Sequence, residues 1–136
     1  MSKIVASVTA RNKADALKTE LQAAAFSFVA DEPLLYGGQD LGPAPADYLC
    51  MALASCQAIT LRMYAKRKGW NVPCIDVKVD FVKGGDTPSG ENTFVVEIKV
   101  EGMLDVEQRK RLEYIAKACP VHRLMSHPIR VITTLI

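Results

Sequence analysis

Apolar residues recur along this chain with two different periods. From Gly42 to Trp70 the chain reads GPAPADYLCMALASCQAITLRMYAKRKGW. It is entered through Pro43 and Pro45 and stops at Lys68-Gly69. Prolines at the entry and a glycine at the exit bracket a helix. Leu49, Leu53, Cys56, Thr60 and Met63 fall on one stripe of it, at spacings of three and four. At about 22 residues the helix is roughly 33 Å long. Its middle, LCMALASC, carries no charge. A helix apolar on more than one side needs cover on more than one side, which points to a buried core helix or to a dimer.

Before the helix the pattern is that of strands. KIVASVT (residues 3–9) is β-branched, residues 11–16 form a turn, residues 17–22 a short strand, and AFSFVA (25–30) places Phe26 and Phe28 on one face. The loop DEPLLYGGQDLGPAP (31–45) has three prolines and three glycines and admits no regular element. After the helix, Ile75, Val77, Val79 and Phe81 alternate with Asp76, Lys78 and Asp80. Phe94, Val96, Ile98 and Val100 alternate with Glu97, Lys99 and Glu101 beyond the polar loop 84–92. Two such strands make a hairpin with one wet face. Asp105 and Gln108 predict a capping box for a helix over 105–118, with Leu112, Ile115, Ala116 and Cys119 on one face. Pro120 ends that helix and leaves Cys119 at its C-terminus. IRVITTL (129–135) reads as a last strand. The order predicts a single α+β domain spanning residues 1–136.

Composition narrows the classes. The 136 residues suffice for one ordinary core, and 49 % hydrophobic with 24 % charged side chains is a soluble balance. Seventeen basic against fifteen acidic residues leave a net charge of +2, which makes no case for nucleic acid. Neither a signal-peptide h-region nor a membrane-length apolar run is present, so the cytoplasm is expected and no membrane partner. The four cysteines, Cys50, Cys56, Cys74 and Cys119, contain no Cys-x-x-Cys and no disulfide-framework spacing.

Chemistry therefore centres on thiols. Cys56 sits in an apolar helix face, where cysteine often packs as a small hydrophobe. Cys119 is followed by Val121-His122-Arg123. The two cations would favour a thiolate and the helix C-terminus would oppose it. If the two helices pack together, the sulfurs approach. A shielded thiol pair can reduce a peroxide, one sulfur passing through a sulfenic acid and the other condensing with it. Cys50 and Cys74 read as structural. Cys119-x-x-His122 with Cys56 or His127 is an incomplete zinc motif, so no metal is expected. Gly-x-Ser-x-Gly and phosphate-binding glycine motifs are absent. Asp31 and Glu32 read as the solvated face of a loop or as a cap.

These residues carry a resemblance. Asp31-Glu32-Pro33, Gly37-Gly38, the Gly42-Pro43-x-Pro45 entry, the helix Asp47–Gly69 with Cys56, its MYAKRKGW ending and Cys119-Pro120-Val121-His122 closely resemble the OsmC/Ohr family of thiol-dependent hydroperoxide reductases, in its general OsmC-like branch. The resemblance implies small antiparallel sheets around a long central helix, in an intertwined homodimer with two active sites at the subunit interface. It implies an antioxidant peroxidase without a cofactor, with Cys56 as the reactive cysteine and Cys119 as the resolving one. Its substrates would be organic hydroperoxides, and a dithiol of the lipoyl type would restore it. Asp47 matches the family's glutamate at the helix entrance, one methylene shorter. The family's arginine from the preceding loop has no match: no arginine or lysine lies between Gln22 and Asp47. Arg11, Arg62 and Arg123 are the candidate substitutes. That departure motivates the alternative, a divergent member that binds a small apolar ligand with weak or no turnover.

Overall fold

The computed structural model describes residues 3–136. The chain divides into two compact units, one ending at Leu49 and one beginning at Cys50.

In the first unit β1 (Val8–Asn12), β2 (Thr19–Ala23) and β3 (Phe26–Ala30) form an antiparallel meander. Val8 pairs with Ala23 and Asn12 with Thr19, and Thr19 in turn with Ala30. The first strand lies later than the expected 3–9. Asn12 sets its end, since its Nδ2 donates to the carbonyls of Ala16 (2.8 Å) and Lys18 (3.1 Å) and so builds the turn out of the strand's own last residue.

The following loop is organised by Asp31, which is buried. Its carboxylate accepts from the backbone N–H groups of Glu32 (2.8 Å), Gln39 (3.2 Å) and Leu41 (3.2 Å). It is thus no solvated acid but the acceptor that closes the loop. Gly38 is required there, because a Cβ would lie 1.8 Å from the Glu32 carbonyl oxygen. At Gly42 a Cβ would lie 2.3 Å from the Val29 carbonyl oxygen. Burial alone would raise the Asp31 carboxyl. The three N–H groups, with the charge of Lys18, outweigh it and hold the group below its ordinary value. The stability this contributes is present above the unfolded carboxyl value, about 3.9, and is lost as pH falls through the folded one. Asp31→Asn is therefore expected to lower the urea midpoint at neutral pH, and the gap from the parent should close below about pH 4.

Helix α1 (Pro45–Lys68) begins with Asp47 Oδ2 accepting from the Ala44 N–H at 2.9 Å, and Tyr48 Oη donates to the Val29 carbonyl at 2.7 Å. From Cys50 onward the helix belongs to the second unit. Its buried side chains there are Leu53, Gln57, Leu61, Tyr64 and Ala65. The expected stripe is thus turned by about one residue, with Met63 exposed and Leu61 inside.

The second unit continues with β4 (Ile75–Val82) and β5 (Thr93–Val100), an antiparallel hairpin pairing Ile75 with Val100 and Phe81 with Phe94. Helix α2 (Val106–Ala116) carries the expected capping box, Asp105 and Gln108 bonding reciprocally at 2.7 and 2.9 Å. Leu61, Tyr64, Leu112 and Ala116 form the core, flanked by Trp70, Ile75, Ile98 and Val100. Arg111 Nε donates to Tyr64 Oη at 3.0 Å and caps the cluster at its surface.

Two expectations fail at the C-terminal end. Pro120 does not merely stop a helix, because it opens α3 (Pro120–Met125) from the first helical position. Residues 128–136 form no strand. Ile129, Val131, Ile132 and Leu135 stand exposed, because a strand needs a ladder partner and among the described residues none pairs with this segment.

Candidate functional site

Cys56 lies on α1, half-buried, next to the buried Gln57. Cys119 lies in the turn between α2 and α3 and is 0 % exposed. Its backbone N–H donates to the Ala116 carbonyl at 3.3 Å, which returns the chain tightly after α2. Its φ of −60° and ψ of 138° make it the N-cap of α3, with Sγ accepting from the His122 N–H at 3.3 Å. This corrects the expected placement at a helix C-terminus: backbone N–H groups, not carbonyls, face the sulfur.

Cys56 and Cys119 are neighbours that act on one another electrostatically. Burial pushes the Cys119 thiol above its ordinary value, and a hydrogen bond between Cys119 and Cys56 raises it further. The N–H groups of His122 and Val121 pull the other way and do not overcome this. Cys119 is thus favoured as the neutral thiol. Of the two, only Cys56 has solvent access. The arrangement can accommodate a nucleophilic sulfur at Cys56 with a second sulfur placed to close a disulfide onto it.

The raised Cys119 thiol has a consequence for stability. Its neutral form contributes fully below the ordinary thiol value, about 8.5, and the contribution is lost as pH rises through the folded value. Denaturation midpoints of the wild type and Cys119→Ala are therefore expected to differ most near neutral pH. They should converge in the alkaline range above about pH 9.

The other sequence candidates are dispersed. Asp47 is exposed and engaged with Ala44 at the entrance to α1. Arg11 pairs with Glu20 across β1 and β2. Arg62 donates through Nη1 to the Val72 carbonyl. Arg123 is exposed on α3. No guanidinium is among the groups that set the Cys119 thiol. His122 Nδ1 faces Ser126 Oγ at 3.4 Å and His127 Nδ1 faces the Arg123 carbonyl at 2.7 Å, so both imidazoles are tied to α3. Cys74 lies at the start of β4 within 4.8 Å of carboxylates of Asp76 and Glu101. Burial and those two acids push its thiol up, which makes it a poor nucleophile.

The residue missed from sequence is Gln57. It is 2 % exposed, and its Nε2 donates to the Ala116 carbonyl at 3.4 Å. The available signal was its place between Leu53 and Leu61, four residues from each on the face that is buried. Separately, a cleft of about 300 Å³ in this unit is lined by Leu61, Val96, Ile98, Val100 and Leu112, with Arg109 and Glu113 at its side. Among the described residues no helix is long and apolar enough to cross a membrane.

With the fold and thiol pair in place, comparison with known proteins defines the class. The family model for OsmC-like protein matches residues 37–134. The chain belongs to the OsmC-like family. Among solved structures it is similar to an osmotic stress induced and detoxification response protein from Psychrobacter arcticus, at 22 % identity and a TM-score of 0.72, covering 94 % of this chain and 91 % of that one. It is also similar to the OsmC-like protein of Mycoplasma pneumoniae, at 18 % identity and a TM-score of 0.74, covering 93 % and 89 %. A third is the organic hydroperoxide resistance protein OhrB of Bacillus subtilis, at 22 % identity and a TM-score of 0.60, covering 90 % of each chain. At these identities the likeness is one of fold. No curated protein matches the sequence significantly.

Proposed function

We propose that this protein is a thiol-dependent peroxidase acting on organic hydroperoxides, with Cys56 as the attacking sulfur and Cys119 as the resolving one. The observation that carries the reading is that a half-buried Cys56 neighbours a wholly buried Cys119 closely enough to raise its thiol. The Cys56 thiolate attacks one peroxide oxygen. An S–O bond forms as the O–O bond breaks, the sulfur gives up two electrons, and the alkoxide takes a proton and leaves as an alcohol. The Cys119 sulfur then attacks the sulfenic sulfur. An S–S bond forms, the S–O bond breaks, and the oxygen leaves as water with the Cys119 proton. A dithiol of the lipoyl type restores both thiols by exchange and is itself oxidised to a disulfide. Asp47, at the helix entrance, is the counterpart of the family's glutamate, one methylene shorter.

The chain works as one cytoplasmic domain doubled into a homodimer. Support for the dimer lies in α1, where Ile59 (59 % exposed) and Met63 (66 %) are uncovered in a single chain, and in the uncovered apolar residues of 129–136. A partner would supply the second face that so apolar a helix needs.

The test is consumption of cumene hydroperoxide with a dithiol reductant by the wild type, Cys56→Ser and Cys119→Ser. Loss of consumption in Cys56→Ser, with slowed consumption in Cys119→Ser, supports the reading, and an inactive wild type overturns it. The apolar cleft supports a second reading, the binding of a small apolar ligand. That reading gains if the wild type consumes nothing yet retains a fatty acid on gel filtration, and Leu112→Arg releases it.

A further inference from the structure

Gln57 is an amide in a position that an aliphatic side chain would fill. It is buried, and its Oε1 has no hydrogen-bond partner. A buried acceptor without a donor is costly, and cores usually avoid it. Its other end explains its presence. Nε2 donates at 3.4 Å to the Ala116 carbonyl, and that same oxygen accepts the Cys119 N–H at 3.3 Å. One carbonyl thus receives both a donor from the residue beside Cys56 and the backbone N–H of Cys119. Ala116 is itself buried in the core against Leu61, Tyr64 and Leu112, which fixes the carbonyl it carries.

We infer that Gln57 is a positioning residue: its amide ties α1 at Cys56 to the turn carrying Cys119 and so keeps the second sulfur in line for disulfide closure. The inference rests on the reading of Cys56 and Cys119 as a reacting pair. It extends that reading to the step after the first attack. The amide acts through the Ala116 carbonyl. A misplacement of about 1 Å can cost roughly a hundredfold in rate, so loss of the tie should slow closure by tenfold or more. It should not weaken the fold, because Gln57→Leu also removes the unsatisfied oxygen.

The experiment uses an azo oxidant, diamide, so that it does not depend on peroxide chemistry. The Cys56 thiolate adds to the N=N bond, forming S–N while one nitrogen takes a proton. The Cys119 sulfur then attacks the Cys56 sulfur, forming S–S and breaking S–N, and a hydrazine leaves with the second proton. Rapid-quench mass spectrometry follows conversion of the adduct to the disulfide in the wild type, Gln57→Leu and Gln57→Glu. Thermal unfolding is measured beside it.

The expected result is at least tenfold slower closure in Gln57→Leu with an unfolding midpoint no lower than the parent's. Gln57→Glu, whose protonated carboxyl donates as the amide does, should close at the parental rate at low pH. It should fall behind the parent as that carboxyl ionises. Parental closure in Gln57→Leu would overturn the inference, as would slow closure in both variants at every pH with a lowered midpoint, which marks a merely structural residue. An adduct that never closes in the wild type overturns the inference as well. Normal closure with no hydroperoxide consumption removes the proposed function instead, and the two variants still decide the role of Gln57.

Discussion

Cys56→Ser is expected to abolish hydroperoxide consumption, and Cys119→Ser to stop it after one turnover when no thiol is added. The difference follows from where each sulfur lies. Cys56 is half-buried on α1 and can be reached from solvent. Cys119 is sealed in the core and can be reached only by what is already on Cys56. A serine at 56 removes the attacking sulfur, and Cys74 is a poor replacement because burial, Asp76 and Glu101 push its thiol up. The loss in steady-state rate should be roughly a thousandfold or more, as for removal of an attacking group elsewhere. With a serine at 119 the first step survives. A stoichiometric burst of alcohol should appear, Cys56 should gain 16 Da as a sulfenic acid that dimedone traps, and turnover should then depend on external thiol. The check is a burst experiment with intact-mass readout. Equal steady-state rates in the wild type and both variants would remove both cysteines from the site.

Much of this fold was legible because the local pattern and the tertiary outcome agree. The β4–β5 hairpin alternates cleanly, and the Asp105–Gln108 box closes as its spacing predicts. Legibility failed where one residue type serves two ends. Pro120 reads as a stop, yet proline also suits a helix's first position, and Cys119 thereby moved from the end of one helix to the cap of the next. Asp31 looked like a solvated loop acid because three backbone donors from residues 32 to 41 cannot be foreseen from spacing. The stripe on α1 was placed one residue away from the buried face, because a hydrophobic pattern passes over an amide and Gln57 lies at that face's centre. The 129–135 segment has the composition of a strand but no ladder partner among the described residues. The thiol pair was half legible. The sequence pattern put both cysteines on apolar helix faces, whereas Cys56 lies beside the buried face of α1 and Cys119 in the turn that caps α3, so their approach depends on how α1 and that turn pack.

Leu61→Ala should separate that packing from the chemistry. Leu61 is 1 % exposed and lies one turn beyond Gln57 on the same face, packed with Tyr64, Leu112 and Ala116. Its removal deletes three buried carbons and leaves a cavity between α1 and α2 that the Tyr64–Trp70 edge contact and the hairpin can only partly close. Such changes cost about 3 kcal/mol. For a chain of this size that corresponds to a fall of roughly 10 °C in the unfolding midpoint. Cys56 precedes Leu61 by more than a helical turn, and Cys119 is fixed by its own cap to His122. The rate of Cys56 adduct formation per folded molecule, measured well below the lowered midpoint, should therefore stay within about twofold of the parent, since sites without shared partners act nearly additively. Closure onto Cys119 should slow only if the cavity lets the Ala116 carbonyl move. Leu61→Met, which keeps most of the volume, should restore the midpoint to within about 1.5 kcal/mol of the parent. A Leu61→Ala protein that loses adduct formation while its midpoint is unchanged would mean that Leu61 acts on the thiols directly and not through the core.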